Sequence, residues 1–511
     1  MKKLLLILVL TFMVILFGIF TWLKYGVDQE QVQDMLASAL GSDYNVEIIS
    51  ARVLPLQRAV SIGQMSISSS DENHTIFQTD TLLISGINPS LYFQKKIILS
   101  KIKMDTFTIN WDSSPETGDN ESNNESSFRK LEIESLDLTN GTIIVNKDGR
   151  ESKRINDLNL NTGLQLELNS KSDSVKSLQY NVSVDSLGFL FSEDRNRLSL
   201  SGLHFENRDS LLTLSSMKLI PVGGYNQFMN SHEFEANMFD MEIVNLTASG
   251  VDPSAFQNQN ILKARLLDFD SFHILVAKNK QLPDKPDKKA PTLLNKSIQN
   301  LPFAVQIDSL HFRNTNIQYS EQDEKGTRPG TISFMNSTIQ LRDVNSLSSE
   351  PANLNAVTYL QNHSELKTEL SFTLNDDPFH MTGTGNLQPF DLTELNSIFM
   401  DLSGMEIVSG FAHELDFNFE MVDDTSSGNM HLLYENLQME IVDRDDYHVN
   451  FANSIKSYVA NKAVVRSENL ADSTHQGRTG DIDHVRDPES SFFKYLWQTL
   501  RSGIYDILLR T

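Results

Sequence analysis

Phe411-Ala-His-Glu-Leu-Asp-Phe-Asn-Phe-Glu-Met-Val422 reads as a strand. Phe411, His413, Leu415, Phe417, Phe419 and Met421 alternate with Ala412, Glu414, Asp416, Asn418, Glu420 and Val422. Successive side chains of a strand point to opposite faces, so this period of two describes one oily face and one largely wet face. The period recurs at Leu164, Leu166 and Leu168, at Leu178, Tyr180, Val182 and Val184, at Phe239, Met241 and Ile243, and at Leu370, Phe372 and Leu374. On the order of twenty such runs, with turn signals at Asn140-Gly141, Asp148-Gly149 and Gly223-Gly224, predict a mainly β chain with a mostly antiparallel sheet and few short helices.

The first residues break this pattern. Positions 4 to 23 carry no charge, and at ~1.5 Å per residue they would span ~30 Å, the hydrocarbon thickness of a bilayer. A transmembrane anchor over 1–25 is therefore expected. Lys2 and Lys3 precede the apolar run and only Lys24 follows before Arg52, which by the positive-inside rule leaves the N-terminus in the cytoplasm. Trp22 and Tyr25 then mark the far interface. A cleaved signal peptide fits less well, because its apolar region is usually ~7–15 residues and no small-residue cleavage site follows. Asp28 opens an amphipathic helix with Val32, Met35, Leu36, Ala39 and Leu40 on one face, ending at Gly41.

Charge narrows the partners. A net charge of −24 lacks the basic stripe that phosphate backbones require, which excludes nucleic acid, and it opposes broad adsorption to anionic headgroups. The chain has no cysteine, so neither a disulfide framework nor a lipidation site is available. Two polar tracts, 113–127 and 278–291, read as surface loops or hinges. They divide the chain into 26–112 (helix and first strands), 113–277 (central sheet), 278–300 (linker and short helix), 301–460 (a second β-region) and 461–511 (polar loop and terminal helix). A weak internal repeat accompanies this division: Ile133-Glu-Ser-Leu-Asp-Leu-Thr-Asn-Gly-Thr-Ile143 parallels Ile307-Asp-Ser-Leu-His-Phe-Arg-Asn-Thr-Asn-Ile317, and Val184-Asp-Ser-Leu-Gly-Phe189 echoes its first half.

Several of these stretches carry a family likeness. The apolar anchor, the helix ending at Ala37-Ser-Ala-Leu-Gly41, Val46-Glu-Ile-Ile-Ser-Ala-Arg-Val-Leu-Pro55, Ser61-Ile-Gly-Gln-Met-Ser-Ile67 and Leu99 to Asp112 resemble the start of AsmA-family proteins. Gly383-Thr-Gly-Asn-Leu-Gln-Pro-Phe-Asp-Leu-Thr393, followed by Gly404 to Asp416, resembles their second shared region. The resemblance implies a bacterial inner-membrane protein, a single pass with its body in the periplasm, and a long sheet curled into a groove with an apolar floor. It also implies phospholipid transport, or upkeep of the outer membrane, with envelope or outer-membrane proteins as a further partner class.

Physics independently limits what an apolar face this long can do. Either it closes on itself as a core or it stays open to acyl chains, each buried CH₂ being worth ~0.8 kcal/mol. Leu370, Phe372, Leu374, Phe411, Leu415, Phe417, Phe419 and Met421 are the expected lining. Two other readings stand beside lipid binding: a scaffold for outer-membrane assembly whose apolar face is covered, and an envelope enzyme. The enzyme is disfavoured, because no Gly-x-Ser-x-Gly elbow, His-Glu-x-x-His or Walker loop occurs, and Gly383-Thr-Gly385 lacks the rest of a dinucleotide fingerprint. No cofactor and no metal site are expected. His413 is read as an ordinary strand histidine, and Asp423-Asp424 and Asp443 to Asp446 as turn carboxylates rather than a calcium loop.

At the other end, Asp487-Pro488 predicts an N-cap with proline at the first helical position. Phe493, Leu496, Trp497, Leu500, Ile504, Ile507 and Leu508 then form one face, interrupted by Arg501 and Asp506. Such a helix would cap the sheet or dock on a membrane or partner.

Overall fold

A computed structural model describes residues 44–70, 75–86, 96–112, 130–147, 150–167, 178–191, 196–284, 286, 290–324, 328–397, 405–441, 465–471 and 477–509. The anchor at 4–23, its flanking Lys2, Lys3, Trp22 and Tyr25, the helix expected over 28–40, the tract 113–127, the turn Asp148-Gly149 and the carboxylates at 443–446 lie outside these residues. Twenty strands of mixed sheet and four α-helices make up the described chain. The chain divides into two compact units, Met1–Met217 and Lys218–Thr511. That division falls inside a strand, not at either polar tract.

The first unit contains β1 (Tyr44–Leu54), β2 (Ala59–Ser69), β3 (Thr75–Ser85), β4 (Lys96–Asp112), β5 (Lys130–Lys147), β6 (Arg150–Glu167), β7 (Leu178–Phe191) and β8 (Asn196–Glu206), and β9 (Leu211–Pro221) crosses its limit. Successive strands from β1 to β8 pair antiparallel, except β4 with β5, which run parallel. One face carries Val46, Ile48, Val60, Ile62, Met65, Ile67, Leu82, Ile84, Leu99, Met104, Phe107 and Ile133, all buried. Among the described residues of this unit the only helical element is the three-residue turn Pro55–Gln57.

The second unit contains α1 (Gly224–Asn230), β10 (Asn237–Ser249), α2 (Pro253–Gln259), β11 (Ile261–Asn279), α3 (Leu294–Gln299), β12 (Ala304–Gln322), β13 (Gly330–Asn345), β14 (Ala352–Leu360), β15 (Ser364–Phe372), β16 (His380–Leu387), β17 (Phe390–Asp391), β18 (Met405–Val422), β19 (Thr425–Ile441), β20 (Thr479–Val485) and α4 (Phe492–Leu509). Here too one pair is parallel, β11 with β12, among antiparallel neighbours. A parallel pair needs a long crossover, and in the sequence each polar tract falls between the two strands of a parallel pair. The second tract is only partly a loop: Lys278 and Asn279 still belong to β11, and Lys278 Nζ lies 2.7 Å from Glu235 Oε1.

The repeated words occupy equivalent places, each in the strand that follows a parallel crossover. Asn140 and Asn314 both adopt left-handed backbone, with φ 53° and 44°. Asn140 Nδ2 donates to Asp105 Oδ1 (2.9 Å), and Asn314 Nδ2 to the Asp270 carbonyl (3.0 Å). Asn140-Gly141 is therefore no hairpin turn. It lies in mid-strand, where register shifts mark a bulge between Leu138 and Ile143. The echo at Val184 falls in β7 and has no such crossover before it.

Left-handed residues recur inside the strands at Gln64, Thr106, Asn245, Asn336 and Asn436. Each inverts the parity of the buried side. Ile62 and Met65 flank Gln64, Met104 and Phe107 flank Thr106, and Tyr434 and Leu437 flank Asn436, all buried. Asn tolerates this conformation because its short polar side chain bonds locally.

Candidate functional site

The expected lining falls on β15, just after it at Leu374, and on β18. Phe372, Leu374, Phe417, Phe419 and Met421 are buried, and Leu370 and Leu415 are half-buried against the same cluster. Phe411 is not with them; it is 38 % exposed while Ala412 is buried. The register of β18 on β19 slips between Ala412 and Glu414, and the extra residue inverts the alternation that the sequence suggests. Phe411 and His413 accordingly meet each other edge to face, at 5.1 Å, and His413 Nε2 lies 3.3 Å from Glu435 Oε1.

Glycine makes this face flat. Gly385 stands opposite Phe417 and Gly383 opposite Phe419. A Cβ on Gly385 would come within 2.2 Å of the Phe417 ring, and one on Gly383 within 2.4 Å of the Phe419 ring. The two rings thus lie across the β16 backbone, near-parallel to each other at 6.2 Å. Gly383-Thr-Gly385 is a seat for aromatic rings, not a fragment of a nucleotide loop.

Over the β19 and β20 part of this surface lies α4. Tyr495, Thr499, Gly503 and Ile507 are its buried line. At the crossing, a Cβ on Gly480 would fall 2.3 Å from the Gly503 carbonyl oxygen, and one on Gly503 would fall 2.8 Å from Ile482 and 3.0 Å from Met430. Ser502 Oγ accepts from the Asp483 N–H (3.2 Å) and Asp506 Oδ2 from the Asp481 N–H (2.9 Å), so the helix also satisfies backbone donors of β20. Of the expected docking face, Ile507 is buried and Leu496, Leu500, Ile504 and Leu508 pack against the cluster, whereas Phe493 is 78 % and Trp497 39 % exposed. The i, i+4 run of Thr499 and Gly503 centres the contact, a small-residue signal that apolarity alone overlooks.

Asp487-Pro488 does not start the helix. Asp487 Oδ1 accepts the Glu489 N–H in a tight turn, and α4 begins at Phe492, its Lys494 N–H bonded to Ser491 Oγ at 3.4 Å. Arg486 holds that turn. Its buried guanidinium donates to the carbonyls of Ser490 (3.0 Å) and Pro291 (2.6 Å) and to Asp424 Oδ1 (2.8 Å). Asp423 and Asp424 are turn carboxylates between β18 and β19, and Asp423 Oδ1 accepts the Phe379 N–H at 2.8 Å. Beside this, α3 docks on the β15–β16 connection, with Asn295 Nδ2 donating to the Asp376 carbonyl at 2.8 Å.

On the polar face, Glu414, Asp416 and His431 bring potential metal-ligand atoms within 4.8 Å of one another. The hydrogen bond to Asp416 raises the Glu414 pKa above the ordinary carboxylate value. A separate hollow of about 420 Å³ is lined by Thr331, Ser333, Gln361, Thr393, Glu394 and Ser397, polar groups unsuited to an acyl chain. Among the described residues no helix is long and apolar enough to cross a membrane. No protein-family model matches the chain, and no curated protein matches its sequence.

Proposed function

We propose that this protein is tethered to a bacterial inner membrane and holds acyl lipid on the apolar face of its strands, assisting phospholipid transport or outer-membrane integrity. One observation carries the reading. In the first unit, buried apolar side chains from five successive strands share a face, half-buried Phe77, Ile102, Ile109, Leu136 and Leu138 extend it, and no described α-helix belongs to that unit. Ordinary sheets bury such a face under helices or a second sheet. An acyl chain laid along it gains ~0.8 kcal/mol for each CH₂ removed from water, with the headgroup left in solvent. The residues that resemble the AsmA family support the same reading.

The test is a photo-crosslinking amino acid placed singly in the full-length chain in cells. At Ile102 or Ile109 it should yield adducts of phospholipid mass, and at exposed Lys103 on the other face it should not. Adducts at neither apolar position would overturn lipid binding there. The second unit favours the scaffold as a second reading, because five of its eight expected lining residues are buried and α4 covers part of the same core cluster.

A further inference from the structure

Among the described residues β20 pairs with β19 alone, so one of its sides is an edge. On that side the N–H groups of Asp481 and Asp483 meet α4 instead of a strand. The match is one of spacing. The two donors lie two strand residues apart, ~6.8 Å, and their acceptors Ser502 and Asp506 lie four helix residues apart, ~6.0 Å. Helix and strand run antiparallel, so Asp483 meets Ser502 and Asp481 meets Asp506. Ser502 Oγ donates its own proton to the Thr499 carbonyl at 2.7 Å, which leaves it an acceptor toward the strand. The contact of Gly480 with Gly503 brings the helix near enough for so short a side chain to reach.

Stability alone does not call for these bonds. Asp481 and Asp483 are exposed, and an exposed N–H exchanges a protein acceptor for water at little net cost. Water, however, keeps no strand away. A strand joining a sheet needs ~4.8 Å of clear space beside the edge and the donors that Ser502 and Asp506 occupy. We infer that α4 is an edge cap, which through Ser502 and Asp506 closes β20 to strand addition, and that the strand it keeps off is β1 of a second copy of this chain. Two β20 edges would set the Asp481 and Asp483 carboxylates of one copy against those of the other. β1 has no such charge pair, and among the described residues it too has a single strand partner, β2. A β1-to-β20 contact joins unlike surfaces, so it propagates instead of closing. The cap is independent of whether lipid is bound.

Hydrogen exchange of the native full-length protein in detergent gives the first readout. The Asp481 and Asp483 amides should be protected at least tenfold over their unstructured rates, and unprotected amides overturn the cap. The second readout is self-association by light scattering at about 1 M salt, where a Debye length of ~3 Å screens the edge carboxylates. In Ser502→Leu/Asp506→Leu the new side chains cannot accept a hydrogen bond and are too bulky for a hydroxyl's place, so they wedge the helix off the edge. This variant should associate at least tenfold more tightly than the native protein, in an open series of sizes. Ser502→Thr/Asp506→Asn keeps both acceptors and should behave as native.

Adding Asp483→Pro to the leucine pair separates strand pairing from sticky surface. Proline is tolerated on an edge strand where the N–H faces outward, and it removes the donor that an added strand needs. It should return the leucine variant to the native association state. A leucine variant as monomeric as the native protein overturns the cap. So does association that Asp483→Pro leaves unchanged, the result expected of misfolding or of exposed leucine. Association that stops at a closed dimer overturns β1 as the strand kept off.

Discussion

At the scale of single residues, glycine and a carboxylate pair make the sharpest statements. Gly385 is small because Phe417 lies across it, so Gly385→Ala forces the ring or the backbone aside. The expected loss is about 1–3 kcal/mol, the usual cost of overpacking, seen as a lower urea midpoint of the second unit; an unchanged midpoint would mean that the ring moves freely. Glu414 offers a test of opposite sign. Its pKa is raised in the folded chain by Asp416, so the folded state binds the proton more tightly. Its contribution is fully present below the unfolded carboxyl pKa and is lost as pH rises through the folded value. Glu414→Gln should therefore be the more stable protein at neutral pH, with the advantage vanishing in acid. Urea titrations at both pH values decide it, and a variant less stable at neutral pH would contradict the assigned sign.

At the scale of elements, the strands depend on residues that interrupt them. Asn314 and Asn140 hold left-handed backbone in the strands that follow the two parallel crossovers. Asn314→Gly should be nearly neutral, since glycine adopts this conformation freely. Asn314→Val should cost about 1–2 kcal/mol from backbone strain alone, more if the β12–β13 register slips. Thermal melts of the two variants, compared at equal concentration, check the difference; similar losses would place the value of Asn314 in its side-chain bond to Asp270 instead.

For the whole molecule, the apolar run at 4–23 and the lysines before it lead to the expectation that the body faces the periplasm. Protease added to spheroplasts should degrade epitopes in residues 44–509, while intact cells protect them. Resistance of the body in spheroplasts, or its release into the soluble fraction after N-terminal cleavage, would refute the tether. This experiment and the crosslinking test are independent, because a tethered protein need hold no lipid.

Alternation along single strands was enough to determine the fold class, because a strand's period of two depends only on its own residues. The terminal helix was legible for the same reason, its apolar stripe being written in 3.6-residue steps. The interior of the candidate site was not. Phe411 obeys the pattern of its strand and still lies on the exposed side, because an extra residue at His413, visible only in the pairing of β18 with β19, inverts the phase. The two parallel pairs were likewise beyond local reading, since a polar tract looks the same whether it closes a hairpin or carries a crossover. Tertiary structure also decided what Gly383, Gly385, Gly480 and Gly503 are for. A glycine's role is set by the atoms that approach it, and those come from other strands and from α4.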